Sequence, residues 1–481
     1  MIGSHHFPPF VLPLVGMAVA LIAVALLSAL FFAPRPRSHG SARWAKPGEV
    51  KSLLAPVGPV LGRDEKGRVP RYGGDAPLLC AAPSRSGKGV GLIIPTLLDM
   101  RRSCIVVDPK GEAARATSLR RAEFGTVWVV DPFAAAGGMD SFNPLAVLAA
   151  DSPTFVEDAM TLADAICAPD APGGGDGAGE HFNSTARTLL RAFIMHCTAT
   201  EPLAHQHLGT VRSYAGLGED AFRALLEEMA ASSVGGGVVA RIAHQQLARD
   251  PREAAAVMST VARQTEWLDS ASVTRSLGTN DFRFEELKER VGTVFIVIPP
   301  DRLGAFSRWL RLMVTSVVVA FAQSPLPGSA GATLLIVDEC AALGRLPAIE
   351  TVMTVMSGYG LQGWLFFQDL AQAHAIYRER ADSLISNAGV FQIFDVSDNT
   401  TAETVSKMLG NQTILVPTGG GPSGGTTRSA RPLMAPDEVR RQRGRSIVFT
   451  RGARPVHAQK IRWFADKQFR ALGHDERGLI S

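Results

Sequence analysis

Lys88 and the adjacent carboxylates Asp338 and Glu339 carry the strongest chemical pattern in this 481-residue chain. Lys88 lies in the loop Pro83-Ser84-Arg85-Ser86-Gly87-Lys88-Gly89, after an apolar run at 78–82 that reads as a strand and before residues 90–98, which read as a helix. A small-residue loop at a helix N-terminus turns successive backbone N–H groups toward an anion, and a lysine ammonium there reaches the outer phosphates. The sequence therefore predicts a phosphate loop, with Pro83, Ser84, Arg85, Ser86, Gly87, Lys88, Gly89 and Val90 as nucleotide-binding positions. The pattern is incomplete. Ala82 stands where its first glycine usually lies, and Gly89 replaces the Ser or Thr whose hydroxyl normally ligates Mg²⁺.

Downstream, the apolar run 334–337 ends in Asp338-Glu339. In such a position the first acid belongs to the Mg²⁺ shell, and the second polarises the attacking water as general base. The run 364–367 ends in Gln368, a neutral polar group suited to sensing a γ-phosphate. Each feature alone has a plainer reading: a turn at Ser86-Gly87-Lys88, helix capping at Asp338-Glu339, a loop-capping amide at Gln368. Three apolar strands closed in order by Lys88, by Asp338-Glu339 and by Gln368 instead predict a RecA-like P-loop ATPase using ATP and Mg²⁺, with Lys88, Asp338, Glu339 and Gln368 catalytic and Asp338 in the metal shell. Asp108, read as closing the strand beside the loop strand, is expected mainly to shape the Asp108-Pro109 turn.

These residues need a scaffold of buried parallel strands. Apolar runs at 78–82, 104–107, 127–130, 294–298, 334–337, 364–367 and 390–394 alternate with helical stretches, which predicts an α/β fold on a mainly parallel sheet. Between about 153 and 281 the alternation gives way to helical periodicity at 155–167, 185–198, 221–231 and 252–267, the mark of an inserted all-α domain. Gly-rich stretches at 172–179, 235–237 and 418–427 read as mobile loops. A net charge of +4 confines any grip on nucleic acid to a local surface. Five dispersed cysteines without a CxxC pair indicate neither a zinc site nor a disulfide framework. Residues 14–32 carry no charge and are long enough for one transmembrane helix; Arg35, Arg37, Arg43 and Lys46 follow, which orients the bulk of the chain to the cytoplasm. Trp44 beside Arg43 reads as an interface anchor.

Beyond these readings, the chain resembles the type IV secretion coupling proteins of the conjugal transfer TraG type. Gly40-Ser41-Ala42-Arg43-Trp44-Ala45 is similar to the family's juxtamembrane signature, and 82–91 to its nucleotide loop, which accounts for Ala82 and Gly89. Asp108-Pro109-Lys110-Gly111-Glu112, Asn143-Pro144-Leu145, Leu343-Gly344-Arg345-Leu346, Gly358-Tyr359-Gly360, Gln368-Asp369-Leu370-Ala371-Gln372, Ser386-Asn387 and Arg431-Pro432-Leu433-Met434 follow the family in order.

The resemblance implies a bacterial inner-membrane ring, a homo-hexamer with nucleotide sites between subunits, that drives relaxase-bound single-stranded DNA, and also protein effectors, into the secretion channel with its other components. It divides the chain into an anchor (1–33), a RecA-like domain in two parts (34–145 and 286–481) and an all-α recruitment domain (146–285). Two features depart from it. Many relatives have two membrane helices where one apolar run is visible here, and Ser357 stands where some members carry an arginine before the Gly-Tyr-Gly turn. Arg71, Arg85 and Arg345 are candidate suppliers of a finger arginine. A non-hydrolysing docking receptor and a membrane-bound double-stranded DNA translocase remain as alternatives.

Overall fold

The structure, a computed structural model, describes residue 17 and residues 38–167, 177–323, 331–418 and 425–474. No helix among them is long and apolar enough to cross a membrane; the run 14–32, apart from Met17, lies outside the described residues.

The strands are β1 (Leu78–Ala81), β2 (Cys104–Asp108), β3 (Thr126–Val130), β4 (Gly292–Val297), β5 (Thr333–Val337), β6 (Leu361–Phe367), β7 (Val390–Phe394), β8 (Asn411–Thr418), β9 (Gly425–Pro432), β10 (Arg445–Thr450) and β11 (Val456–Gln459). Nine of them form one sheet among the described residues, in the order β11-β10-β7-β1-β6-β5-β2-β4-β3. From β7 to β3 every pairing is parallel, and β10 and β11 close one edge antiparallel. The seven expected strands all lie in the parallel part. Their continuous apolar composition follows from burial on both faces: every residue of β1, β2, β4, β5, β6 and β7 is buried. On one face Cys80, Val106, Ile336 and Trp364 pack with Leu92, Leu97 and Ala114 from helices after the loop and after β2.

The one long polar side chain inside β6 is fully used. Gln362 donates through Nε2 to the carbonyls of Gly74 and Ala76, at 2.9 and 2.8 Å, and accepts from Arg102 at 3.0 Å. These bonds fix the chain's approach to β1, so a buried amide here serves register rather than chemistry.

Between the paired strands β3 and β4 the chain runs through the helices Phe155–Ile166, Gly177–Thr200, Leu208–Ala215, Glu219–Ala230, Val234–Leu247 and Pro251–Thr265. Gly177–Thr200 packs against Phe155–Ile166, Val234–Leu247 and Pro251–Thr265, burying Leu190, Phe193 and Ile194 completely. One loop expectation needs correction here. The stretch 172–179 was expected to be loop throughout, but a helix begins at Gly177, and 172–176 lie outside the described residues. The glycines at 235–237 do form a turn, with φ of 58°, 61° and 79°, before the helix proper.

The described chain forms two compact units. The larger comprises Trp44–Ala402 with the residues from Asp437 onward. In it Trp44 is half-buried and stacks on His457 of β11, with ring centroids 4.7 Å apart. The smaller unit joins described residues before Trp44 to Glu403–Pro436. Its centre is the antiparallel hairpin β8–β9, which corrects the expectation of a loop over 418–427; 419–424 lie outside the described residues. Ser41 bridges to Gln412 beside it, and Thr413 Oγ1 accepts the His39 N–H at 3.0 Å.

Candidate active site

The phosphate loop leaves β1 while still tied to β6, since the Ala82 N–H donates to the Phe367 carbonyl at 2.8 Å. Ser86 N–H then donates to the Pro83 carbonyl at 3.1 Å, closing a tight turn in which Arg85 and Gly87 have φ of 63° and 92°. Gly87 suits that backbone without strain; Arg85 is held there by the turn. Ser84 and Arg85 are exposed, whereas Ser86 is buried. The expected helix over 90–98 begins as a wide π turn, Gly89–Ile93, and continues as α-helix from Ile94 to Asp99.

Two strands over, β5 delivers the acids. The Asp338 N–H donates to the Val107 carbonyl at 3.3 Å, so pairing with β2 persists to the first acid. Lys88 Nζ donates to the Asp338 carbonyl at 2.6 Å and lies 3.3 Å from Asp338 Oδ1 and 3.6 Å from Glu339 Oε2. The strand between β1 and β5 is β6, and it brings Gln368, whose Nε2 is 3.5 Å from Glu339 Oε2. Gln368 N–H donates to Gln372 Oε1 at 2.8 Å, and Asp369 Oδ1 accepts from Gln372 N–H at 2.7 Å, which holds the end of β6 at the next helix start. The structure thus brings Lys88, Asp338, Glu339 and Gln368 together.

They line a cleft of about 420 Å³ with Ser84, Arg85, Gly87, Gly89 and Val90 of the loop. Pro83 and Ser86 support the loop without lining the cleft. Pro300 and Leu303, from the segment after β4, add an apolar wall that no motif announced. Inside, Asp338 Oδ1 and Glu339 Oε1 are buried and accept no hydrogen bond. Buried carboxylate oxygens left so beside a single ammonium suit a divalent cation, and the loop N–H groups with Lys88 suit a phosphate chain.

Asp108 ends β2, but β2 is not beside the loop strand as expected; β6 and β5 lie between them. Its Oδ2 accepts the Ala114 N–H at 2.9 Å, capping the helix α1 (Glu112–Ala122). Burial, with Asp338 and Glu112 adding negative charge, pushes its carboxyl up to about 6, against the lowering by the Ala114 and Lys110 backbone. Of the candidate finger arginines, Arg71 is paired with Asp99 at 2.6 Å and Arg345 with Glu350 at 3.1 Å, whereas Arg85 stands exposed on the loop. Ser357 lies in the 3₁₀ turn Met356–Tyr359.

Sequence reasoning missed Lys460 and Asp395, which meet against the back of the loop: Lys460 Nζ donates to the Ser86 carbonyl at 3.1 Å and pairs with Asp395. Their local sequences carry no motif.

Comparison with known proteins adds relatives to this geometry. The family described as type IV secretory system conjugative DNA transfer matches residues 57–478. The conjugal transfer protein TraG of Escherichia coli is 28% identical over 501 residues, covering 90% of this chain and 78% of that protein. VirD4 of Rhizobium rhizogenes is 28% identical over 507 residues, covering 99% of this chain and 73% of its own length. Among solved structures, the bacterial conjugative coupling protein TrwB superposes with a TM-score of 0.67 at 17% identity, covering 89% of this chain and 94% of its own, which shows the same fold. TrwB has also been solved in complex with ADP and Mg²⁺, at a TM-score of 0.65, 17% identity and coverage of 89% and 95%.

Proposed function

The chain belongs to the type IV secretory system conjugative DNA transfer family, as a coupling protein, and on that premise we propose that it is an inner-membrane motor that hydrolyses ATP to drive relaxase-bound single-stranded DNA into the secretion channel. One observation carries the reading: the Lys88 ammonium lies among Asp338 and Glu339 in a single cleft, with Gln368 delivered between them by the intervening strand. In this reading the loop N–H groups and Lys88 hold the phosphate chain. Glu339 takes the proton of the attacking water, while Gln368 hydrogen-bonds either that water or the γ-phosphate. Asp338 would hold Mg²⁺, which when bound neutralises charge on the β- and γ-phosphate oxygens. The complexes of TrwB with ADP and Mg²⁺ support the choice of cofactors.

In the same reading the helices between β3 and β4, as a domain spanning about 146–285, receive the relaxase or an effector protein, the run 14–32 anchors the chain, and six copies form the ring. Lys88→Ala removes a phosphate contact rather than core volume, so it should abolish ATP binding and DNA transfer while the protein stays at its normal level in the membrane. Normal transfer by that variant would overturn the motor reading. A docking receptor that binds nucleotide without hydrolysis draws on the missing hydroxyl at Gly89 and the serine at Ser357. Glu339→Gln separates the two, since a motor loses transfer with nucleotide still bound and a receptor keeps it.

A further inference from the structure

The chain after β11 returns to the phosphate loop and braces it from behind. Lys460, which follows β11, gives its ammonium to two acceptors: the Ser86 carbonyl 3.1 Å away and Asp395 Oδ2 in a close ion pair. Both side chains are largely buried, 13% and 17% exposed, and the Phe394 ring lies 5.2 Å from the ammonium. Asp395 itself sits at a φ of 35°, a backbone conformation that a residue with a side chain keeps only where its surroundings over-determine it. The brace is held at a fixed height. Lys460 N–H donates to the Gly444 carbonyl at 3.0 Å and Trp463 N–H to the Val90 carbonyl at 3.4 Å. Where the chain crosses the loop helix there is room only for glycine, because a Cβ on Gly91 would lie 2.9 Å from the Ile461 carbonyl oxygen.

The consequence lies in the geometry of one peptide unit. In a trans peptide the carbonyl and the N–H point in opposite directions. An ammonium that draws the Ser86 carbonyl to the back of the loop therefore turns the Gly87 N–H the other way, and Gly87 lines the cleft. At Gly87 nothing intrinsic resists rotation of that unit, since glycine has no Cβ. We propose that Lys460, held by Asp395, is a positioning residue for nucleotide binding: it locks the Ser86–Gly87 peptide so that its N–H faces the phosphates. It acts through the loop backbone and does not itself line the cleft. The proposal rests on the cleft being a nucleotide site.

The test uses the full-length chain and measures binding of a fluorescent ATP analogue beside thermal melting. Lys460→Met should weaken binding about tenfold at a temperature where the variant stays folded, the loss of one well-aimed bond to a charged phosphate, and should also lower the melting temperature because it strands the Asp395 carboxylate. Lys460→Arg, which still donates to a carbonyl and pairs with Asp395, should restore affinity to within about threefold of the parent. Asp395→Asn keeps the shape and loosens the ammonium, and its expected loss of about threefold gives a readout should Lys460→Met fail to fold. Parental affinity in Lys460→Met, or a loss that tracks melting temperature and that arginine does not restore, overturns the assignment. Lys88→Ala is the control: if it binds like the parent, the nucleotide-site reading itself fails, whereas loss in Lys88→Ala with parental affinity in Lys460→Met removes only the role of Lys460.

Discussion

Asp108 is a buried acid whose carboxyl is pushed up to about 6 by burial, from an ordinary value of 3.8. The folded state therefore binds this proton more tightly than the unfolded chain, so its contribution to stability is complete below about pH 3.8 and is lost as pH rises through about 6. Asp108→Asn carries no charge to desolvate and keeps an oxygen for the Ala114 N–H. It should be more stable than the parent at pH 7.5 by on the order of 2 kcal/mol and no more stable at pH 3.5, as thermal melts at the two values will show. A difference independent of pH would remove burial as the cause. The chemistry at residue scale was legible where it followed an apolar strand: Asp338 and Gln368 close their runs directly, with Glu339 next, and Lys88 follows its run across one short loop. Lys460 could not be read, because Ala458-Gln459-Lys460-Ile461 reads like any strand end, and Asp395, although it closes the run 390–394, stands alone with no second acid or loop motif to mark it. Their meaning arises only when β7 and the end of β11 arrive behind the same loop.

At the scale of elements, the parallel strands were legible because burial on both faces writes a continuous apolar run. The edge strands were not. β10 and β11 include Arg445, Ser446, His457 and Gln459 within short segments, and the hairpin β8–β9 is largely exposed, so neither reaches the apolar density that marks a buried strand. Sheet order was also beyond the sequence, as the place of β2 demonstrates. The helix α2 (Ser307–Gln323) links elements that sequence reading kept apart. Its buried Arg311 donates to the carbonyls of Leu343, Arg345 and Ala165, the first two just past Glu339 and the third in the helix Phe155–Ile166. Arg311→Met should strand buried carbonyls and cost about 3 kcal/mol in chemical denaturation. Because two of those carbonyls follow Asp338 and Glu339, the proposed turnover at saturating ATP should fall as well; parental stability and turnover would remove the bracing role.

For the whole molecule, one copy supplies little positive charge to the cleft beyond Lys88, Arg85 and Lys110, since Arg71 and Arg345 are engaged elsewhere. If the proposed ring completes each site from a neighbour, turnover per chain should rise with protein concentration, and a flat response across about a hundredfold dilution would exclude that arrangement. The net charge of +4 on 481 residues makes the same point for cargo, because a polymer grip has to be assembled from a local surface repeated around a ring.

The order of the sheet also dictates an order of birth. β1, which launches the phosphate loop, is flanked by β6 and β7, and the lysine behind the loop is residue 460. All of these leave the ribosome long after β1, by on the order of tens of seconds at ordinary rates of synthesis. Throughout that interval β1 has neither partner strand, and the loop has no frame on which to bind a nucleotide. On the proposed reading a nascent chain has no assembled nucleotide site, and the strand that will hold the loop is until then an apolar segment without its partner strands. If the cleft is the proposed nucleotide site, its assembly waits on the last part of the chain to be made.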